Sequence, residues 1–176
     1  MKVIGPLFLD DLRKELDELK AMPADRKRDQ KLRRFQQKIA SLRFMDPACG
    51  SGNFLTSAYI ELRKIENTVI SLLNRGQIML DIGNPIQVSI NQFFGLEIHD
   101  FAVTVARTAL WIAESQMMKE TEDVIHMNLD FLPLKTTANI VEGNALKIDW
   151  ESVVPKHELN YGLSPFGVGK PSAPLH

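Results

Sequence analysis

A single cysteine, Cys49, among 176 residues excludes an intramolecular disulfide and any multi-cysteine zinc cage, and suits a reducing, cytoplasmic setting. No apolar run approaches the roughly 18–20 residues of a membrane span, and Met1-Lys2-Val3-Ile4-Gly5-Pro6 does not open a signal peptide, so no membrane partner is expected. Charge of one sign is also lacking, since 21 Lys+Arg face 22 Asp+Glu for a net of −1. That balance would argue against a nucleic-acid partner only if the charge were evenly spread. It is not. Residues 1–44 hold 12 basic and 7 acidic side chains, a net of +5, and the remainder holds 9 and 15, a net of −6. Most of the basic excess falls on Arg26, Lys27, Arg28, Lys31, Arg33, Arg34, Lys38 and Arg43. Such a run is either the solvated face of a helix or a surface for phosphates. What is present otherwise, 44% hydrophobic and 24% charged residues, is ordinary for a globular protein. The length predicts one domain, or part of a larger one.

The apolar spacing predicts two opening helices. Leu9, Leu12, Leu16 and Leu19 form one stripe, stopped by Pro23, and Asp25 is the N-cap expected for a second helix bearing Leu32, Phe35, Ile39 and Leu42. The basic residues of that helix are expected largely on its wet side. A short strand over Leu42–Met45 then meets the Pro- and Gly-punctuated loop Asp46-Pro47-Ala48-Cys49-Gly50-Ser51-Gly52-Asn53-Phe54. A long helix follows through Phe54, Ala58, Leu62, Ile65, Val69 and Leu72, with Gly76 as its cap and a turn at Gly83-Asn84-Pro85. Ile86–Ile90 alternates like a strand and Phe93–Ile98 reads as a buried one. Asp100 is placed to cap a helix to about Met118, with Ala102, Val105, Ala109, Ile112 and Ala113 inward. Ala138–Glu142 is a third strand, followed by Gly143-Asn144-Ala145. From Pro155 onward, four prolines and three glycines in 22 residues predict loop. Strand, helix, strand, helix, strand predicts a doubly wound α/β unit with a parallel sheet.

In such a unit ligands bind at the C-terminal ends of the strands, where helix N-termini offer free N–H groups. The loop Asp46–Asn53 lies there. Gly50 and Gly52 let backbone approach a ligand, Ser51 and Asn53 add polar groups, and the Asp46 carboxylate suits an ammonium or hydroxyl better than a phosphate. Three other readings fail. Leu55 stands where a dinucleotide fingerprint needs its third glycine, no Lys follows the glycines as a P-loop requires, and Cys49 has no His near it in sequence. Glu97, ending the second strand, is either an acceptor for ribose hydroxyls or an acid favoured by the next helix dipole. Asn144, after the third strand, either reads a purine edge or closes a turn.

Together these residues resemble the first three motifs of S-adenosylmethionine-dependent DNA amino-methyltransferases, in particular the N6-adenine enzymes of restriction–modification systems. The loop Asp46–Phe54 is similar to the first motif. Phe94-Gly95-Leu96-Glu97-Ile98-His99-Asp100, with Ala106-Arg107 and Leu110-Trp111, resembles the second, and Val141–Leu146 with Asp149-Trp150 the third. The Pro6–Leu9 opening and the Phe35–Phe44 approach resemble the large single-chain, MmeI-like members. The resemblance implies a Rossmann-like class I methyltransferase fold and S-adenosyl-L-methionine as cofactor, with duplex DNA as the partner of a longer parent. It puts Asp46, Gly50 and Gly52, within the loop Asp46, Pro47, Ala48, Cys49, Gly50, Ser51, Gly52, Asn53 and Phe54, around the methionine moiety. Glu97 goes to the ribose, Ile98 to an adenine face, and Asn144 and Ala145 to the adenine edge. No metal is implied.

The family's catalytic Asn-Pro-Pro-Phe motif is degenerate here. Pro165 and Phe166 match its second half, but Leu163 and Ser164 take the Asn and first Pro positions, and Asn160 comes three residues early. Leu163 cannot accept a hydrogen bond from an amino group. An upstream cofactor motif is missing, and few residues follow Lys170. The expectation is therefore an N-terminal helical segment over 1–42, the cofactor half of a methyltransferase domain over 43–170, and a tail over 171–176. This is an inactive piece of a longer parent, or alternatively a non-catalytic cofactor- or DNA-binding remnant. Its unpaired apolar surface and open sheet edge would favour self-association.

Overall fold

A computed structural model describes residues 8–74, 85–126 and 138–154, and the backbone of 161–164 and 167–169. Helix α1 (Asp10–Lys20) buries Leu12, Leu16 and Leu19, as the spacing requires. Helix α2 (Arg26–Ser41) begins where the Asp25 carboxylate accepts the Arg28 N–H at 2.8 Å, a cap that contributes about 1 kcal/mol. Lys38 pairs with Glu15 at 2.5 Å and Lys31 shares a groove with Met22, so α2 runs antiparallel to α1. The basic run lies largely on the wet side of α2, as expected, with Arg26, Lys27, Lys31, Arg33, Arg34 and Lys38 exposed. Arg28 is buried, Lys38 is paired with an acid of α1, and Arg43 donates to the carbonyls of Ala40, Ser41 and Leu42, where a cation complements the helix dipole.

Strand β1 (Phe44–Asp46), helix α3 (Asn53–Asn74), strand β2 (Phe93–Glu97), helix α4 (Asp100–Ile125) and strand β3 (Asn139–Glu142) then alternate. With β4 (Tyr161–Ser164) and β5 (Gly167–Gly169) they form a mixed α/β unit on a small five-stranded sheet of order β3-β2-β1-β4-β5. The pairings are parallel, with Phe44 opposite Phe93 and Tyr161, and Glu97 opposite Glu142; the β4–β5 pair alone is antiparallel. Asp46, Glu97 and Glu142 thus end their strands at the same edge.

The helices cover one face. There Phe44, Phe93 and Ile140 enter a core shared with Leu32 and Phe35 of α2, so the N-terminal helices fold onto the sheet rather than apart from it. Phe44 and Phe93 stack at 5.0 Å, and Tyr59 meets Phe93 edge-on at 5.7 Å, each contact adding about 1 kcal/mol beyond burial. On the other face, Met45 and Leu96 are buried with Val154 under Ile148 and Trp150. Among the described residues no helix is long and apolar enough to cross a membrane.

Five expectations are corrected. Residues 86–89 are not strand, and Ile90 starts a 3-10 turn capped by Ser89. The N–H groups of Gln87 and Val88, which a ladder would have used, go to the Glu66 carboxylate at 2.7 and 3.1 Å. His99, not Asp100, is the N-cap of α4, which continues to Ile125 rather than Met118. Its inner face carries Ala113, as expected, but otherwise Val103, Ala106 and Leu110, one residue round from the predicted Ala102, Val105 and Ala109, and Ile112 is exposed. The Pro- and Gly-rich end forms β4 and β5, because no proline falls within 161–164 or 167–169 to remove a ladder N–H. Gly76, Gly83 and Asn84 lie outside the described residues.

Candidate cofactor site

The loop between β1 and α3 is laced to the end of β2. The Cys49 N–H donates to the Leu96 carbonyl at 3.0 Å, and the Gly50 N–H donates to Glu97 Oε2 at 3.0 Å. The other Glu97 oxygen accepts the His99 N–H at 3.1 Å, and the Glu97 carbonyl accepts the Gly143 N–H at 2.8 Å. One carboxylate therefore joins the first two loops, and its backbone ties in the third. Each Glu97 oxygen keeps acceptor capacity beyond its single N–H.

Two glycines are required by conformation. Gly50 has φ +53°, and nothing lies within 4 Å of the point where a side-chain methyl would stand, so its Cα faces open space beside Glu97. Gly52 has φ +78°, and a Cβ there would come to 3.0 Å from Ala106 Cβ and 3.1 Å from its Cα. Helix α4 thus presses the loop from below while the loop stays open above Gly50. Ser51, Asn53 and Ala48 are exposed, Pro47 is buried and Phe54 is half-buried against the core.

Asp46 is buried and its Oδ1 accepts the Ala48 N–H at 3.1 Å. Burial pushes its carboxyl above the usual value of 3.8; the Ala48 bond opposes this, and the nearby Glu97 charge adds to it. Below about pH 3.8 the group is protonated in both folded and unfolded chains. As pH rises, the unfolded chain ionises first, so stability is lost until the folded carboxyl ionises too. Asp46→Asn, which keeps the Ala48 acceptor, is expected to raise stability at neutral pH and to lose that gain as the pH falls toward 3.8 and below. Paired thermal melts across that range test this, and a gain that grows in acid would contradict it.

Burial and the Asp46 and Glu97 charges push the Cys49 thiol up to about 12, which leaves it uncharged at neutral pH. Cys49 is therefore a small buried residue, with no thiolate for attack. Ile98 is 56% exposed next to Glu97. Asn144 closes a turn: its Oδ1 accepts the Leu146 N–H at 2.9 Å and its carbonyl accepts from Lys147 and Ile148. Ala145 is half-buried beside it. Pro165 and Phe166 lie outside the described residues, between β4 and β5. Because β4 is parallel to β1, its last residue, Ser164, ends toward the same edge as Asp46. No group of three or more His, Cys, Asp or Glu placed for a metal ion occurs among the described residues.

Sequence reasoning assigned no role of their own to Gly95, Ala106, Arg107 and Trp150. A Cβ on Gly95 would meet Ile140 Cδ1 at 2.8 Å and Cys49 Sγ at 2.9 Å, which a glycine inside an apolar strand could have signalled. Arg107 donates from Nε and Nη2 to the Ile140 carbonyl at 3.0 and 2.5 Å, fastening edge strand β3 to α4.

Known proteins share this arrangement. The chain is 40% identical over 157 residues to DNA methyltransferase A of Bacillus subtilis (strain 168), covering 88% of this chain and 17% of that protein. It is 37% identical over 83 residues to a putative type II restriction enzyme and methyltransferase of Methanocaldococcus jannaschii, covering 47% of this chain and 7% of that one. The solved structure of MmeI, a type IIL restriction-modification enzyme in complex with DNA, superposes with a TM-score of 0.82 at 41% identity, over 92% of this chain and 21% of MmeI. The chain thus falls among the methyltransferases of restriction–modification enzymes, of whose lengths it spans about a fifth or less. It belongs to the family described as MmeI, DNA-methyltransferase domain, whose profile matches residues 22–172.

Proposed function

We propose that this chain is the S-adenosylmethionine-binding part of a restriction–modification DNA methyltransferase whose parent methylates adenine N6 in duplex DNA in the cytoplasm. The observation that carries the reading is the Glu97 carboxylate bonded to the Gly50 N–H, beside buried Asp46 and open space over Gly50. An acid pair held by backbone amides suits a ligand with an ammonium at one end and ribose hydroxyls in the middle. In this reading the sheet is the first half of a Rossmann-like fold, with the ligand at the edge where strand order turns back from β1 to β4. Residues 1–42 are read as an N-terminal helical segment, 43–170 as the cofactor half and 171–176 as a tail.

The cofactor supplies a methyl group on a positively charged sulfur. Asp46 receives the ammonium, the loop Pro47–Phe54 wraps the amino-acid end, Glu97 accepts from the ribose hydroxyls, and Ile98, Asn144 and Ala145 bound the adenine. Transfer to a flipped base needs an acceptor for the target amino group. Leu163 offers none at the matching position, so this chain alone is not expected to methylate DNA. Self-association has no support among the described residues and is no part of the proposal.

Titration calorimetry with S-adenosylmethionine tests the reading. The chain is expected to bind, and Asp46→Ala, Glu97→Ala together to weaken binding at least about 100-fold, since each charged hydrogen-bond partner contributes about 1.5–3 kcal/mol. No binding by the unaltered chain, or equal binding by the double variant, would overturn it. Methyl transfer from labelled cofactor to DNA by the chain would overturn the inactivity.

A further inference from the structure

The segment after β3 is more than a turn. Gly143 is hydrogen-bonded to Glu97 above, and a Cβ on it would come to 1.9 Å from Ile148 Cδ1, so the returning chain packs directly beneath it. Two residues further on, the Trp150 indole Nε1–H donates to the Ala145 carbonyl at 2.6 Å. The Trp150 ring packs with Ile148 against the buried patch of Met45 and Leu96 on the sheet face opposite the helices. The Asn144–Ala145 backbone is therefore gripped from both sides, by Glu97 through Gly143 and by Trp150 through Ala145.

We infer that Trp150 is a positioning residue, whose indole N–H sets the Asn144–Ala145 backbone against the adenine end of the cofactor pocket. The inference rests on the reading of the site proposed above. An indole has one polar atom, a donor, and a partly buried one needs an acceptor. Here the acceptor is the carbonyl of a residue in the candidate pocket. The bond fixes the plane of the peptide that follows Ala145, and with it the direction in which the Asn144–Ala145 loop meets a ligand. A phenyl ring would preserve much of the packing on Met45 and Leu96 but leave that carbonyl without its donor.

Trp150→Phe is expected to weaken S-adenosylmethionine binding about fivefold, because the Ala145 peptide is no longer held in its binding orientation, while the melting temperature falls by only about 2–4 °C, the cost of one neutral hydrogen bond within the chain. Binding within twofold of the unaltered chain would overturn the inference. A second arm does not depend on that variant folding. The chain has two tryptophans, so Trp111→Phe leaves Trp150 as the sole indole. Its emission is expected to change on titration with S-adenosylmethionine, with the same midpoint as calorimetry. Calorimetric binding without a change in emission would overturn the positioning role and leave the cofactor reading intact. Absence of binding by the unaltered chain would overturn both.

Discussion

Replacing Gly52 by alanine is expected to cost about 2–5 kcal/mol of stability and to abolish measurable cofactor binding. Two costs add. At φ +78° a side chain brings about 1–2 kcal/mol of left-handed strain. The new methyl would then meet Ala106 at 3.0 Å from Cβ and 3.1 Å from Cα, and because one of those atoms is backbone, α4 itself has to move. Overpacking of that kind costs about 1–3 kcal/mol. Gly50→Ala is the informative comparison. Its φ of +53° carries the strain, but nothing lies within 4 Å of the added methyl. It is expected to lose only about 1–2 kcal/mol while still impairing binding, because the methyl enters the open space beside Glu97. Denaturant melts and calorimetry on both proteins separate the two effects. Equal destabilisation of Gly50→Ala and Gly52→Ala would show that α4 does not press on the loop.

Those glycines also show what local pattern reveals. Proline and glycine between an apolar run and a helical stripe located the loop after β1, and the acids ending β1 and β2 follow from alternation of strand and helix. The core stripes of α1 and α2 were equally legible, because each of those helices buries one side. Helix α3 was legible only in part. It lies between the sheet and the other helices, so Glu61, Arg63, Glu66 and Asn67 are buried alongside Leu62 and Ile65. Charged side chains read as solvent-facing unless their partners are known, and the partners outside α3 lie 21 to 58 residues away. The apparent strand over Ile86–Ile90 failed for the same reason, since a distant Glu66 takes its N–H groups. Position of the loop after β1 was accessible to local reading; what braces it was not.

The brace itself gives the other large effect. Glu66, fully buried, accepts from Arg63 Nη1 at 2.5 Å, from Gln36 Nε2 at 2.8 Å, and from the backbone of Gln87 and Val88. Arg63, also fully buried, donates onward to Thr121 Oγ1 of α4 at 2.6 Å, and Thr121 donates to Asn67 at 2.7 Å. One carboxylate thus joins α2, α3 and the entry to β2, and its arginine partner reaches α4. Glu66→Gln keeps the shape but removes the charge that compensates Arg63 and turns an amide donor toward groups that are themselves donors. Breaking one side of a buried pair costs about 3–5 kcal/mol, so a fall in melting temperature of about 6–20 °C is expected. Arg63→Met combined with Glu66→Gln removes the stranded charge and is expected to recover part of that loss, giving a coupling energy of more than about 1 kcal/mol in a double-mutant cycle. Strict additivity of the two substitutions would mean that Glu66 acts through Gln36 and the 87–88 backbone alone. In that case the cost of Glu66→Gln would come from the approach to β2, and the first visible consequence would be loss of protection at the Gln87 and Val88 amides in hydrogen exchange.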